Sequence, residues 1–183
     1  MPILTDSPAT VIPAGTWTID PSHSTVEFQV KHLGLATVKG RAPVVSGVIE
    51  GGDSPTITGT VDVSALTTFD QTRDDHLRSP DFFDVARHPE LRFESLAVDV
   101  RGDEIVVDGE LTIKGVTKPV TLTGAVAGTE TDPWGNERVG VDLETVIDRT
   151  AWELAWNAPI PGGGFLLPND VRLAASFSAV KAA

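Results

Sequence analysis

Cysteine is absent from the 183-residue chain, which excludes disulfides, thiolate nucleophiles and thiolate metal sites. Basic residues are scarce: 14 Lys and Arg stand against 26 Asp and Glu, for a net charge of −12. Such a field repels phosphate backbones and anionic headgroups, so nucleic acid is not an expected partner. It suits a protein that keeps an apolar cargo in solution, and it suits simple solubility equally well. No apolar run reaches transmembrane length, so stable membrane insertion is not expected. Residues 1–14 hold three prolines and no Lys or Arg ahead of an apolar run, which is not the pattern of a secretory leader. The expectation is a cytoplasmic protein with a flexible or edge-forming segment over 1–14 and one domain over 15–183.

What is present is period-two alternation, the mark of strands with one face in a core and one in water. In Thr25 to Lys31, Val26, Phe28 and Val30 share one parity and the polar residues the other. The pattern recurs in Ala42–Glu50, Thr56–Val63, Leu91–Arg101, Ile105–Ile113, Val120–Val126, Val139–Ile147 and Val171–Ala179. Within Leu91–Arg101 the phase changes, since Leu91 and Phe93 share one parity and Leu96, Val98 and Val100 the other; this predicts a bulge near Ser95. Short turn signals at Glu50–Asp53, Arg101–Asp103, Lys114-Gly115 and Asp132–Asn136 join neighbours as antiparallel hairpins. About eight such strands close into a barrel or pair as two sheets, and periodicity does not choose. Asp70 to Ser79, stopped by Pro80, predicts a short helix capped by Asp70, and Arg149 to Ala155 a second helical turn.

The catalytic signals are weak. His23, His32, His76 and His88 form no H-x-x-x-H or H-x-H pair, so neither a metal nor a cofactor is expected. Asp20-Pro21-Ser22-His23-Ser24 holds the residue types of a hydrolase triad, but no nucleophile elbow accompanies it. A hydrogen-bonded turn ahead of the strand explains it better, and a structural role suits His32. Asp74-Asp75 reads as a solvated helix face. Gly162-Gly163-Gly164 lacks the Lys-Ser/Thr of a phosphate loop, yet Ile160, Phe165, Leu166 and Leu167 around it are unusually apolar. Such a loop plugs a core or lines an entrance for an apolar ligand.

Several ordered motifs resemble the YceI-like polyisoprenoid-binding proteins. They are Trp17–Ser24, Phe28–Gly34, Val38–Arg41, Arg73–Val85 and Gly109–Val120, and the similarity runs from about Gly15 to Val180. The resemblance implies an all-β, extended antiparallel, eight-stranded lipocalin-like barrel with one or two short helices. It also implies a homodimer, no catalysis, and an interior holding a long isoprenoid such as a polyprenyl phosphate or a quinone tail. Many relatives look exported. The family's late Arg-x-x-Phe-Gly motif is replaced here by Arg149-Thr150-Ala151-Trp152-Glu153, so Trp152 is expected to reshape one end of the cavity. On this reading the inward-parity residues Phe28, Val30, Leu111, Val141, Leu143 and Phe177 line the ligand, with Phe82, Phe83, Phe165 and Leu166 near a mouth. Arg73, His76 and Arg78 are candidates for an anionic headgroup, or for ion pairs with Asp74, Asp75 or Asp81. The alternatives are a stress-response barrel filled by its own side chains and acting through its surface, and a more distant isomerase or hydrolase using His23 or His32.

Overall fold

The computed structural model describes residues 12–183. Its strands are β1 (Gly15–Ile19), β2 (Thr25–His32), β3 (Ala36–Gly51), β4 (Thr56–Asp62), β5 (Glu90–Arg101), β6 (Glu104–Ile113), β7 (Val116–Thr131), β8 (Glu137–Asp148) and β9 (Asp170–Lys181). The helix α1 (Gln71–Arg78) lies in the β4–β5 connection, and a 3-10 turn, Arg149–Trp152, opens the β8–β9 connection. All pairings are antiparallel and the sheet closes through β3–β4 and β2–β9. Closure settles the choice between barrel and paired sheets.

The nine strands fill eight positions, because β1 and β2 share one. The first pairs with the far ends of β3 and β9 (Trp17 opposite Ile49, Thr18 opposite Val180), the second with their near parts (Phe28 opposite Gly40 and Leu173). The break is the turn Pro21–His23, where Asp20 accepts the Ser22 N–H at 3.0 Å. Strand β1 lies outside the runs that alternation picks out. In β5 the pairing skips from Ser95–Gly109 to Ala97–Asp108. The bulge falls where the phase change put it, but the extra residue is Leu96, which turns to solvent instead of joining Val98 and Val100 inside. The expected helix forms with Asp70 accepting the Arg73 N–H at 2.9 Å and ends at Ser79.

The two ends of the barrel differ. At one, Ile12, Trp17, Ile49, Ile105, Val107, Val139 and Val141 are almost wholly buried against each other. Trp17 donates its indole N–H to Pro13 O at 2.8 Å, and Ile12 O accepts the Gly52 N–H at 2.9 Å, so residues 12–14 seal that end. Residues 1–11, part of the segment expected to be flexible or edge-forming, lie outside the described residues.

The sealed end carries a charge network. Arg138 donates to Asp20 and to Asp132, each at 2.9 Å, and the His23 ring lies 2.8 Å from Asp20. Hydrogen bonds from Arg138 and then His23 lower the Asp20 carboxyl from its usual 3.8 to about 2, and Arg138 followed by the Asn136 N–H brings Asp132 to about 2. Folded values below the unfolded ones stabilise the protein above about pH 4, and that contribution is lost as the pH falls toward 2. Acid titration followed by circular dichroism is expected to show a stability loss in this window that Arg138→Gln flattens. An acid profile unaltered by Arg138→Gln would remove the network from the account.

Candidate ligand cavity

At the other end the barrel is open. A cavity of about 580 Å³ runs inward from the ends of β2, β8 and β9 and beneath α1, within the range of pockets that hold small apolar ligands. Strand parity builds its wall: Val26, Phe28 and Val30 of β2 stand beside Val171 and Leu173 of β9, with Val61 and Leu91 across from them. Gly40 makes room for Phe28, since a side chain there would come within 2.2 Å of the ring. A smaller space of about 80 Å³ shares Val26, Val61, Leu91 and Leu173 with the main one and continues toward Leu111, Leu143 and Phe177.

Of the residues expected from sequence, Phe28, Val30, Phe82, Phe83 and Leu166 line the main cavity, and Leu111, Leu143 and Phe177 the inner space. Val141 lies outside both; it is buried in the packed end beside Val139 and Ile105. Phe165 turns outward and is largely exposed. Ala42, Leu77, Ile113, Ile147, Trp156 and Leu167 also line the cavity, and parity marks several of them as inward without saying which end stays open.

Four basic side chains reach this wall: Arg73, His76, Arg149 and, at the rim, His32. Arg73 donates to the Thr68 hydroxyl at 2.7 Å and Thr68 O at 2.9 Å. Beside it Asp74 is buried. Burial raises its carboxyl, but the Thr68 hydroxyl and N–H and the Thr67 hydroxyl outweigh that and hold it below its ordinary value. The His76 ring meets Asp81 at 2.8 Å and packs edge-on against Phe82 and Trp156. Arg78 does not reach the cavity, because its guanidinium is taken up by Ser64 O at 2.8 Å and Leu66 O at 2.6 Å.

Arg149 was legible only as a motif residue. It is 4% exposed and donates to Pro168 O at 2.9 Å, Trp156 O at 2.9 Å and Leu154 O. Burial lowers its pKa, partly offset by Asp148. These three carbonyls belong to the β8–β9 connection, so Arg149 fixes the segment that supplies Leu154, Trp156, Leu166 and Leu167 to the mouth. Trp152, expected to reshape one end of the cavity, is not itself among the residues that line it. Its indole donates to Leu111 O at 2.9 Å and its ring packs behind the wall with Ile113 and Ile147. Glu153 adopts a left-handed conformation (φ 63°) where the 3-10 turn ends, at a cost of about 1–2 kcal/mol for a residue with a Cβ. Since it is exposed, Glu153→Gly is expected to raise stability by about 0.5–1 kcal/mol in urea unfolding; a loss would show that the glutamate side chain holds the turn.

The triad-like cluster is a turn. Ser24 is buried and exchanges hydrogen bonds with the Ser178 backbone, while His23 faces Asp20. His32, expected to be structural, sits exposed at the cavity rim. Among the described residues no cluster of three or more His, Asp or Glu could hold a metal ion, and no helix is long and apolar enough to cross a membrane.

The same barrel recurs in solved structures. BcnA of Burkholderia cenocepacia superimposes with a TM-score of 0.71 at 21% identity, covering 87% of this chain and 98% of that one. A YCEI protein of Campylobacter jejuni gives 0.68 at 26% identity over 84% of this chain and 90% of that one. A domain from Saccharophagus degradans, described as a polyisoprenoid binding domain, gives 0.68 at 15% identity over 91% and 98%. In sequence, Protein YceI of Escherichia coli O157:H7 is 38% identical over 129 residues, 68% of either chain, and that of Salmonella arizonae 36% over the same share. The model of the YceI-like domain matches residues 17–179. With nearly the whole barrel inside that match, the chain belongs to the YceI-like family.

Proposed function

We propose that the protein binds a long-chain isoprenoid lipid in the open half of its barrel and carries or sequesters it without chemistry. The observation that supports this most directly is the apolar cavity of about 580 Å³ leading from the mouth toward Leu143 and Phe177. A barrel acting only through its surface has no need of a lined cavity, and here one is kept beside the buried cluster of that end. Each methylene moved from water into such a space gains about 0.8 kcal/mol, so roughly ten of them gross about 8 kcal/mol before the cost of association. The polyisoprenoid description of the Saccharophagus relative fits the same reading. Arg73, His76 and Arg149 on the wall would take an anionic or carbonyl oxygen of the head, a polyprenyl phosphate or a quinone ring.

Purified protein extracted into organic solvent is expected to release a long apolar lipid visible by mass spectrometry, and delipidated protein to take up farnesol from solution. Protein that neither carries nor takes up any isoprenoid overturns the proposal.

A further inference from the structure

We propose that the mouth of the barrel docks onto an anionic lipid bilayer, with the tip of the β2–β3 hairpin entering the interface. At the tip of this end Leu33, Leu35 and Phe165 stand in solvent, exposed by 43, 82 and 65%. They belong to one surface, because the Leu33 N–H donates to Leu166 O at 3.0 Å, and Leu166 lines the cavity. The turn is held in shape: Leu33 and Gly34 are left-handed and the Leu35 N–H returns to His32 O at 3.0 Å. The tip therefore presents its leucines outward in a fixed conformation. An apolar patch continuous with the opening of an apolar cavity is suited to a lipid surface, because a chain passing between them need not cross water.

Charge selects the kind of bilayer. The protein carries −12, yet no Asp or Glu occurs from Phe28 to Ile49, where Lys31, Lys39 and Arg41 lie exposed. The register sets Lys39 opposite Gln29 and Arg41 opposite Glu27, so all three bases share the outer face of the hairpin with Gln29 and Glu27. Anionic headgroups attract this hairpin and repel the other acidic surface, Glu27 and Asp70 at the cavity included, which turns the molecule hairpin-first toward the membrane.

This inference rests on the lipid-binding reading, and the test separates the two. Co-sedimentation with vesicles of phosphatidylcholine and phosphatidylglycerol is expected to retain the protein, with salt releasing it, while vesicles of phosphatidylcholine alone do not. Leu35→Glu and the pair Lys31→Glu, Lys39→Glu are each expected to weaken retention by about tenfold or more. Trp134→Glu should not; Trp134 is as exposed as Leu35 (82%) but sits at the sealed end, in the turn between Thr131 and Glu137. Leu35→Glu should still take up farnesol from solution. Equal retention on both vesicle types, retention unaffected by Leu35→Glu, or an effect of Leu35→Glu only on self-association in the ultracentrifuge overturns the docking. Wild type that docks as described but takes up no farnesol overturns the carriage reading instead.

Discussion

Ala42→Trp is expected to reduce isoprenoid uptake about a hundredfold while leaving the barrel as stable as before. Ala42 lies opposite Val26 in the β2–β3 register, and its methyl faces the main cavity. Ala42 borders the cavity as well as the core cluster, so an indole built there extends into the cavity and the overpacking that normally penalises a large side chain in a core stays small. It displaces ligand instead. Losing room for about four methylenes removes about 3 kcal/mol of transfer energy, roughly a hundredfold in affinity. The measurement is a titration of delipidated protein with farnesol beside a urea unfolding curve. Phe28→Asp supplies an independent route, because a carboxylate in this wall must be desolvated by any apolar chain that enters. Uptake that survives both substitutions at full strength would show that the lipid binds elsewhere.

Arg149→Ala is expected to destabilise the protein by about 3 kcal/mol, because three backbone carbonyls that accept from the guanidinium lose their donors, at about 1 kcal/mol or more each. Two further variants separate hydrogen bonding from packing. Arg149→Met keeps much of the apolar stem but no donor, and Arg149→Lys keeps a charge but cannot reach three acceptors in the planar arrangement that the guanidinium matches. Both should stay close to the alanine variant in urea unfolding. Full recovery in Arg149→Met would mean that the stem, not the hydrogen bonds, holds the β8–β9 connection. Since that connection supplies Trp156, Leu166 and Leu167 to the mouth, farnesol uptake should fall along with stability.

Much of the cavity wall was legible because a strand alternates strictly. Once Val26 is inward, Phe28 and Val30 follow, and the same holds for Leu111, Leu143 and Phe177. Where the reading failed, alternation carries no information. Val141 has the inward parity of Leu143 but sits one step nearer the sealed end, and depth along a barrel axis is not written in parity. Phe165 belongs to a loop, where no periodicity constrains direction. Leu96 sits at the bulge, where the count of residues changes and either face is open to it. Arg78 has the charge for a headgroup, but its geometry commits it to Ser64 O and Leu66 O.

By itself the sequence determined an acidic all-β domain of about eight strands, the hairpin order, the bulge, the capped helix and the face of each strand that avoids water, because these depend on local pattern and local hydrogen bonding. The ordered motifs added the family. Only the tertiary structure decided that the sheet closes, since closure depends on pairing β2 with β9 across most of the chain. It also decided that Ile12 and Trp17 fill one end, against Ile49, Ile105 and Val139, while the other keeps a cavity. Those features come from contacts between segments far apart in sequence, where the volume available to each side chain is set by neighbours that no local pattern names.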